Sequence, residues 1–172
     1  KAGKTEGWHD AAFFNMCRPL ELVFANGMDK GEIVGIPTGD VTQMKSFEEF
    51  FDAYKKQMEY CISLLVNADN AIDVAHAERC PLPFLSCMID DCLKEGRSVQ
   101  EGGAVYNFTG PQGFGIANMA DGLFAIRKLV YEEKKVSMEE FKEALAWNYD
   151  KGLDAQSAGD MTEMIMKAMQ KA

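Results

Sequence analysis

SFEEFFDAYKKQMEYCISLL, residues 46–65, opens on a helix-start signal and continues in helical period. Ser46 is a good N-cap residue and Glu49 stands three places on, the spacing of a capping box. Phe47, Phe50, Phe51, Tyr54, Met58, Cys61 and Leu65 then recur at three- and four-residue steps. That pattern predicts an amphipathic helix of roughly five turns. Most of the remaining sequence reads the same way, and the fold expected of this chain is mainly α.

Ser137-Met138-Glu139-Glu140 repeats the capping box and predicts a helix through Phe141, Leu145 and Asn148, stopped by Gly152. Asp160-Met161-Thr162-Glu163 is a looser version leading into Ile165 and Met169. Pro81 and Pro83 suit a first helical turn, so Phe84, Leu85, Met88, Ile89 and Cys92 predict one helix closed by Gly96. Met119, Leu123, Ile126 and Val130 mark another, ending near Lys134. Phe13, Phe14, Cys17, Leu20 and Phe24 also have helical spacing, but Pro19 requires a kink or two short helices. Residues 27–45 carry five glycines and prolines and read as an irregular loop. The one expected strand is Ala104–Phe108, running into Thr109-Gly110-Pro111-Gln112-Gly113-Phe114-Gly115.

The composition narrows the function. The chain has 172 residues, 47% hydrophobic and 26% charged, which suits a globular domain with a core. The net charge of −9 argues against nucleic acid or an anionic membrane as partner. Lys55-Lys56 and Lys134-Lys135 are isolated pairs, and no run is long and apolar enough to span a bilayer. No export signal is read in the chain. The five cysteines, an odd number set among apolar residues, and the eleven methionines suggest buried thiols in a reducing, cytoplasmic setting.

Several residues invite a chemical reading. His76-Ala77-Glu78 with Cys80 is similar to the His-x-Glu signature of zinc deaminases, but Cys80, Cys87 and Cys92 lack the Cys-x-x-Cys spacing that completes such a site. A buried polar helix end containing His76, Glu78 and Arg79 is the simpler expectation, and no metal is expected. Gly110, Gly113 and Gly115 lie between strand and helix, yet no P-loop lysine follows and the Rossmann spacing is not met. A tight structural turn is expected instead. Asp69, Asn70 and Asp73 lack an EF-hand pattern and read as surface or network carboxylates. Asp10 has two readings. It can cap a helix beginning at Ala11, or, with His9, contact a small polar ligand by accepting a hydroxyl proton.

Four stretches carry a resemblance: KTEGWHDAAFFN (4–15), ERCPLPFLS (78–86), EGGAVYNFTGPQGFGIANMADGL (101–123) and KLVYEEKK (128–135). Together they resemble glycyl radical enzymes of the pyruvate formate-lyase type, and within them the glycerol and propanediol dehydratase branch. The resemblance implies that residues 1–152 are an internal segment of a large α/β barrel, with 153–172 a helical continuation. It places a thiyl cysteine and a glutamate base in a Gly-Cys-Val-Glu loop, and the radical glycine in an Arg-Val-x-Gly loop. Neither motif occurs in this chain, so no catalytic residue is assigned within it. The chain alone is expected to be an inactive fragment.

The resemblance further implies that Asp10 meets a substrate hydroxyl, that His9 shapes the pocket, and that Gly110, Gly113 and Gly115 support the site structurally. No cofactor is expected to bind within this chain; the parent would need a glycyl radical installed by a radical-SAM iron–sulfur activase. The implied partners are a small-molecule substrate, the activase and a second copy in a homodimer. The implied setting is the cytoplasm of an anaerobic bacterium, or a microcompartment. A choline trimethylamine-lyase is the alternative within the family, although His9-Asp10 with Phe13 resembles the diol branch more. A free-standing helical structural or interaction protein is the alternative from another class.

Overall fold

The computed structural model describes residues 11–149, with side chains through 146. His9, Asp10, Gly152 and the helix signals after residue 150 lie outside the described residues. Helix dominates, as expected, with few and short strands. The described residues form two compact units, one of 11–14 and 62–114, the other of 15–61 and 115–149.

The larger core lies in the second of these. It contains α1 (Arg18–Phe24), the first half of α2 (Phe47–Arg79), α5 (Ile116–Ala125), a π-helical turn (Ile126–Glu132) and α6 (Met138–Tyr149). Val23, Val41, Phe50, Tyr54, Ile126, Val136, Met138 and Phe141 are buried together. Phe24 packs on Phe50 and Phe141, with ring centroids 5.5 and 6.0 Å apart. Both predicted caps form, and the box at Ser137 closes completely. Ser46 Oγ accepts from the Glu49 amide at 3.2 Å, and Ser137 Oγ from the Glu140 amide at 3.2 Å. Glu140 completes its box by accepting the Ser137 amide at 2.8 Å, whereas Glu49 reaches one residue further and takes the Lys45 amide. Within the π-turn Ile126 joins this core and Val130 and Tyr131 pack against it, while Leu129 is also buried.

The loop at 27–45 is organised by two side chains. The amide of Gln57, fully buried on α2, donates to the Ile36 carbonyl at 2.5 Å and accepts the Ile36 amide at 3.2 Å. Asn26 Oδ1 accepts the amides of Thr38 and Gly39 at 2.8 and 2.9 Å. Between these anchors, β2 (Met28–Asp29) and β3 (Glu32–Ile33) make a short antiparallel hairpin.

Several expectations require correction. The stripe read over 46–65 continues to Arg79, because nothing breaks the helix before Cys80, whose position ahead of Pro81 disfavours helical backbone. Residues 12–24 are not a kinked helix. β1 (Ala12–Asn15) is followed by α1, with Pro19 in its first turn, where a missing amide costs nothing. The helix expected over 81–96 is divided into α3 (Pro83–Ser86) and α4 (Cys92–Glu95). Asp91 adopts φ 73 between them, and the break lets Leu85, Ile89 and Cys92 reach Val99 and Ala104 in a second small core. The strand expected at 104–108 lies instead at β4 (Pro111–Phe114), paired with β1. Strand propensity is realised only where a partner lies alongside, and β1 lies beside 111–114.

Candidate functional site

The pairing of β1 with β4 locates the backbone next to Asp10. The Ala11 amide donates to the Gly110 carbonyl at 3.3 Å, one residue before each strand begins. Along β1, partly buried Ala12 and Phe14 alternate with exposed Phe13 and Asn15, as a half-covered strand requires. Phe13 meets Phe114 edge-on, with ring centroids 6.4 Å apart. Because a strand follows Asp10, no helix starts at Ala11 for its carboxylate to cap, and that reading of Asp10 falls. The positions of His9 and Asp10 themselves are outside the described residues.

Thr109 ties the start of β4 to the long helix. Its hydroxyl donates to the Asp73 carboxylate. Asp73 and His76, three residues apart on α2, line a small cleft with Gln100, Asn107, Phe108 and Thr109. Gln100 also accepts the Leu82 amide at 3.0 Å, joining the cleft wall to the start of α3. Residue chemistry alone gave Asp73 no specific task and passed over Thr109. The one available signal was a hydroxyl residue directly before Gly110, at the start of a glycine-rich turn.

Gly115 belongs to the other unit, where it stands before α5 with φ 77. This is the left-handed region that glycine adopts without a Cβ penalty. Its carbonyl accepts the Met119 amide at 2.9 Å and the Cys17 thiol at 3.5 Å. Gly113 lies within β4, and Gly110 contributes the carbonyl that holds Ala11. The three glycines thus have three different structural tasks.

The thiols differ from expectation. Cys92 is buried, Cys17 and Cys61 are half-buried, and Cys80 and Cys87 are exposed. Burial pushes the Cys17 thiol upward, with Glu21 adding to the effect, and burial likewise raises Cys61 against the lowering influence of Arg18. Such thiols are weak nucleophiles. His76, Glu78, Arg79 and Cys80 form an exposed helix end rather than the buried one expected, since little packs on the last turns of α2. Among the described residues, no three His, Cys, Asp or Glu side chains are grouped to hold a metal ion. No described helix is long and apolar enough to cross a membrane.

A profile described as PFL-like, pyruvate formate lyase-like, matches residues 1–170. The chain belongs to the pyruvate formate lyase-like family. The four stretches that carry the resemblance therefore lie within a family match that spans nearly the whole chain. Within this family it is similar to a solved structure concerned with 1,2-propanediol dehydration in Roseburia inulinivorans, at 63% identity and a TM-score of 0.89, covering 94% of this chain and 21% of that one. It is also similar to the glycerol-bound B12-independent glycerol dehydratase from Clostridium butyricum, at 50% identity and a TM-score of 0.83, covering 92% and 19%. The (2S)-3-sulfopropanediol dehydratase of Klebsiella oxytoca is 39% identical over 150 residues, 86% of this chain and 18% of that protein. The chain spans about a fifth of the length of these relatives.

Proposed function

We propose that the protein to which this chain contributes is a glycyl radical hydro-lyase that removes water from a small vicinal diol, 1,2-propanediol or glycerol. The observation that carries this reading is the 63% identity, over nearly the whole chain, with a structure concerned with 1,2-propanediol dehydration. The pairing of β1 with β4 fixes Ala11, the residue that follows Gly7-Trp8-His9-Asp10 in sequence.

The protein radical, installed by a radical-SAM iron–sulfur activase, supplies hydrogen abstraction from a hydroxyl-bearing carbon. This chain supplies substrate binding. Asp10, as a carboxylate, accepts a hydrogen bond from one substrate hydroxyl and so orients the diol, while the glutamate outside this chain takes the hydroxyl proton. His9 shapes the pocket wall beside it. Gly110 and the strands hold the Ala11 backbone that follows Asp10 in sequence. The partners in this reading are the diol, the activase and a second copy in a homodimer.

The test is a product assay on the full-length enzyme, activated without oxygen and offered 1,2-propanediol, glycerol, (2S)-3-sulfopropanediol and choline. Dehydration of 1,2-propanediol to propanal, or of glycerol to 3-hydroxypropanal, is the expected outcome. Asp10→Asn should lower that turnover by about tenfold or more, the cost of weakening a hydrogen bond to a charged acceptor, with the glycyl radical signal intact. Cleavage of choline to trimethylamine instead, or preference for the sulfonated diol, would reject the proposed substrate.

A further inference from the structure

The long helix α2 has two halves with opposite surroundings. Over residues 47–61 its inward stripe is well covered: Phe50, Ala53, Tyr54 and Gln57 are all 5% exposed or less. Phe50, Ala53 and Tyr54 join a core of ten buried residues that also draws on α1, α5, the π-turn and α6. Over residues 62–79 the one buried residue is Asp69. The covered stripe there runs Leu65, Asp69, Asp73 and Ala77 at four-residue steps, so two of its four side chains are carboxylates. Ile62, Leu64, Val66, Ile72 and Val74 lie outside that stripe. Burying a carboxylate costs free energy, whereas burying an apolar side chain stabilises. The second half of α2 therefore has little of the tertiary packing that holds a helix in a protein.

The rest of this unit has the same character. Its own core has four buried residues, Ile89, Cys92, Val99 and Ala104, with Leu85 against them. α3 and α4 have four residues each, and β1 and β4 make a two-stranded sheet, elements that are marginal alone. Hydrogen bonds tie these pieces together. Ser86 Oγ accepts the Val99 amide at 3.0 Å, Gln100 accepts the Leu82 amide, and Asp73 accepts the Thr109 hydroxyl. Each contributes little net, because water competes for the same groups. We infer that residues 62–114 are a separate opening unit, which unfolds and refolds while 15–61 and 115–149 stay folded. α2 then unwinds from Arg79 back to Ile62 and keeps its first half. Segments with few buried apolar side chains and exposed backbone bonds open at lower free energy than a core does. α3, α4 and the Thr109 anchor are released together, because each depends on the same small core or on the second half of α2.

The test is amide hydrogen exchange on the intact 172-residue chain, comparing the two halves of one helix under conditions where closing outpaces exchange. Amides of residues 71–75 should be at least about a hundredfold less protected than those of residues 53–57. Val99→Ala, which opens a cavity in the small core, should lower protection within 62–114 about tenfold further. Residues 53–57 should stay within about twofold of their original protection, because the substitution lies outside their cooperative unit. Ser86→Ala, which removes the acceptor of the Val99 amide, should give a smaller loss with the same distribution. Cys92, 2% exposed, should be alkylated by iodoacetamide through the same opening, at a rate that Val99→Ala raises in step with exchange. A Val99→Ala chain whose 62–114 unit unfolds outright also supports the inference, provided residues 53–57 keep their protection. Equal protection in both halves of α2, whether high or absent, would overturn it. So would a Val99→Ala or Ser86→Ala effect that reaches residues 53–57 to the same degree.

Discussion

At the scale of single residues, small details of backbone geometry decide which substitutions the chain tolerates. Gly115 combines φ 77 with a close neighbour, because a Cβ built there would lie 3.2 Å from Cys17 Sγ. Gly115→Ala is expected to cost about 1–2 kcal/mol for the left-handed backbone, plus whatever is needed to move the thiol. Adding Cys17→Ala should recover only the contact share, and thermal unfolding of the three variants separates the two parts. A full recovery would show that strain is not the cause. Tyr54 is a different kind of local compromise. Its ring fills the core, but its hydroxyl is buried with no hydrogen-bond partner among the described residues. Burial pushes its ionisation up to about 12, with Cys17 contributing in the same direction.

At the scale of elements, helix starts were the most legible feature, because a capping box is short, local and independent of tertiary partners. The pair at Ser137 and Glu140 also carries a pH dependence. Hydrogen bonds from the Ser137 amide and hydroxyl hold the Glu140 carboxyl below the usual glutamate range. A depressed carboxyl stabilises the fold above its unfolded value, and that contribution is lost as pH falls through the folded value. Hydrogen exchange at the first-turn amides of α6, corrected for intrinsic rates, should show protection falling in acid below the ordinary glutamate range. Glu140→Gln should flatten that fall, and Ser137→Ala should cost about 1 kcal/mol, a roughly fivefold loss of protection at neutral pH. A reciprocal pair at Ser98 and Glu101 shows the same signal at a turn, and its Ser-x-x-Glu spacing was there to be read. The strands were not legible. AFFN carries helical spacing into α1, and PQGF has weak strand propensity, so each becomes a strand only because the other lies beside it. Gln57 was equally hidden. It sits within the apolar stripe of α2, and only the backbone of Ile36, twenty-one residues earlier, explains a buried amide there. At the candidate site, the Trp-His-Asp stretch is proposed from family motifs alone, whereas the Thr109–Asp73 contact needed the fold to bring the two together.

At the scale of the whole molecule, the second half of α2 poses the question of what surrounds it. Ile62, Leu64, Val66, Ile72 and Val74 are between 44% and 58% exposed. Steps of roughly 100° per residue scatter these five around the helix axis rather than along one stripe. Large apolar side chains on every side of a helix suit the interior of a larger protein. Phe84, Leu93, Val105, Tyr106 and Phe108 add exposed apolar area within the same unit. A free-standing helical protein would have to leave this surface in water, while a chain matching about a fifth of its relatives has a much larger polypeptide available to cover it. The two possibilities predict opposite responses to the same substitutions. Leu64→Lys and Val74→Lys together should make the 172-residue chain more soluble and lower its binding of an apolar dye, because they remove exposed hydrophobic surface. In the full-length protein the same pair should reduce the yield of folded enzyme, because two ammonium groups would be buried without partners. Equal tolerance of both lysines in the two contexts would show that this helix is solvated in each, and the chain would then be an independent unit.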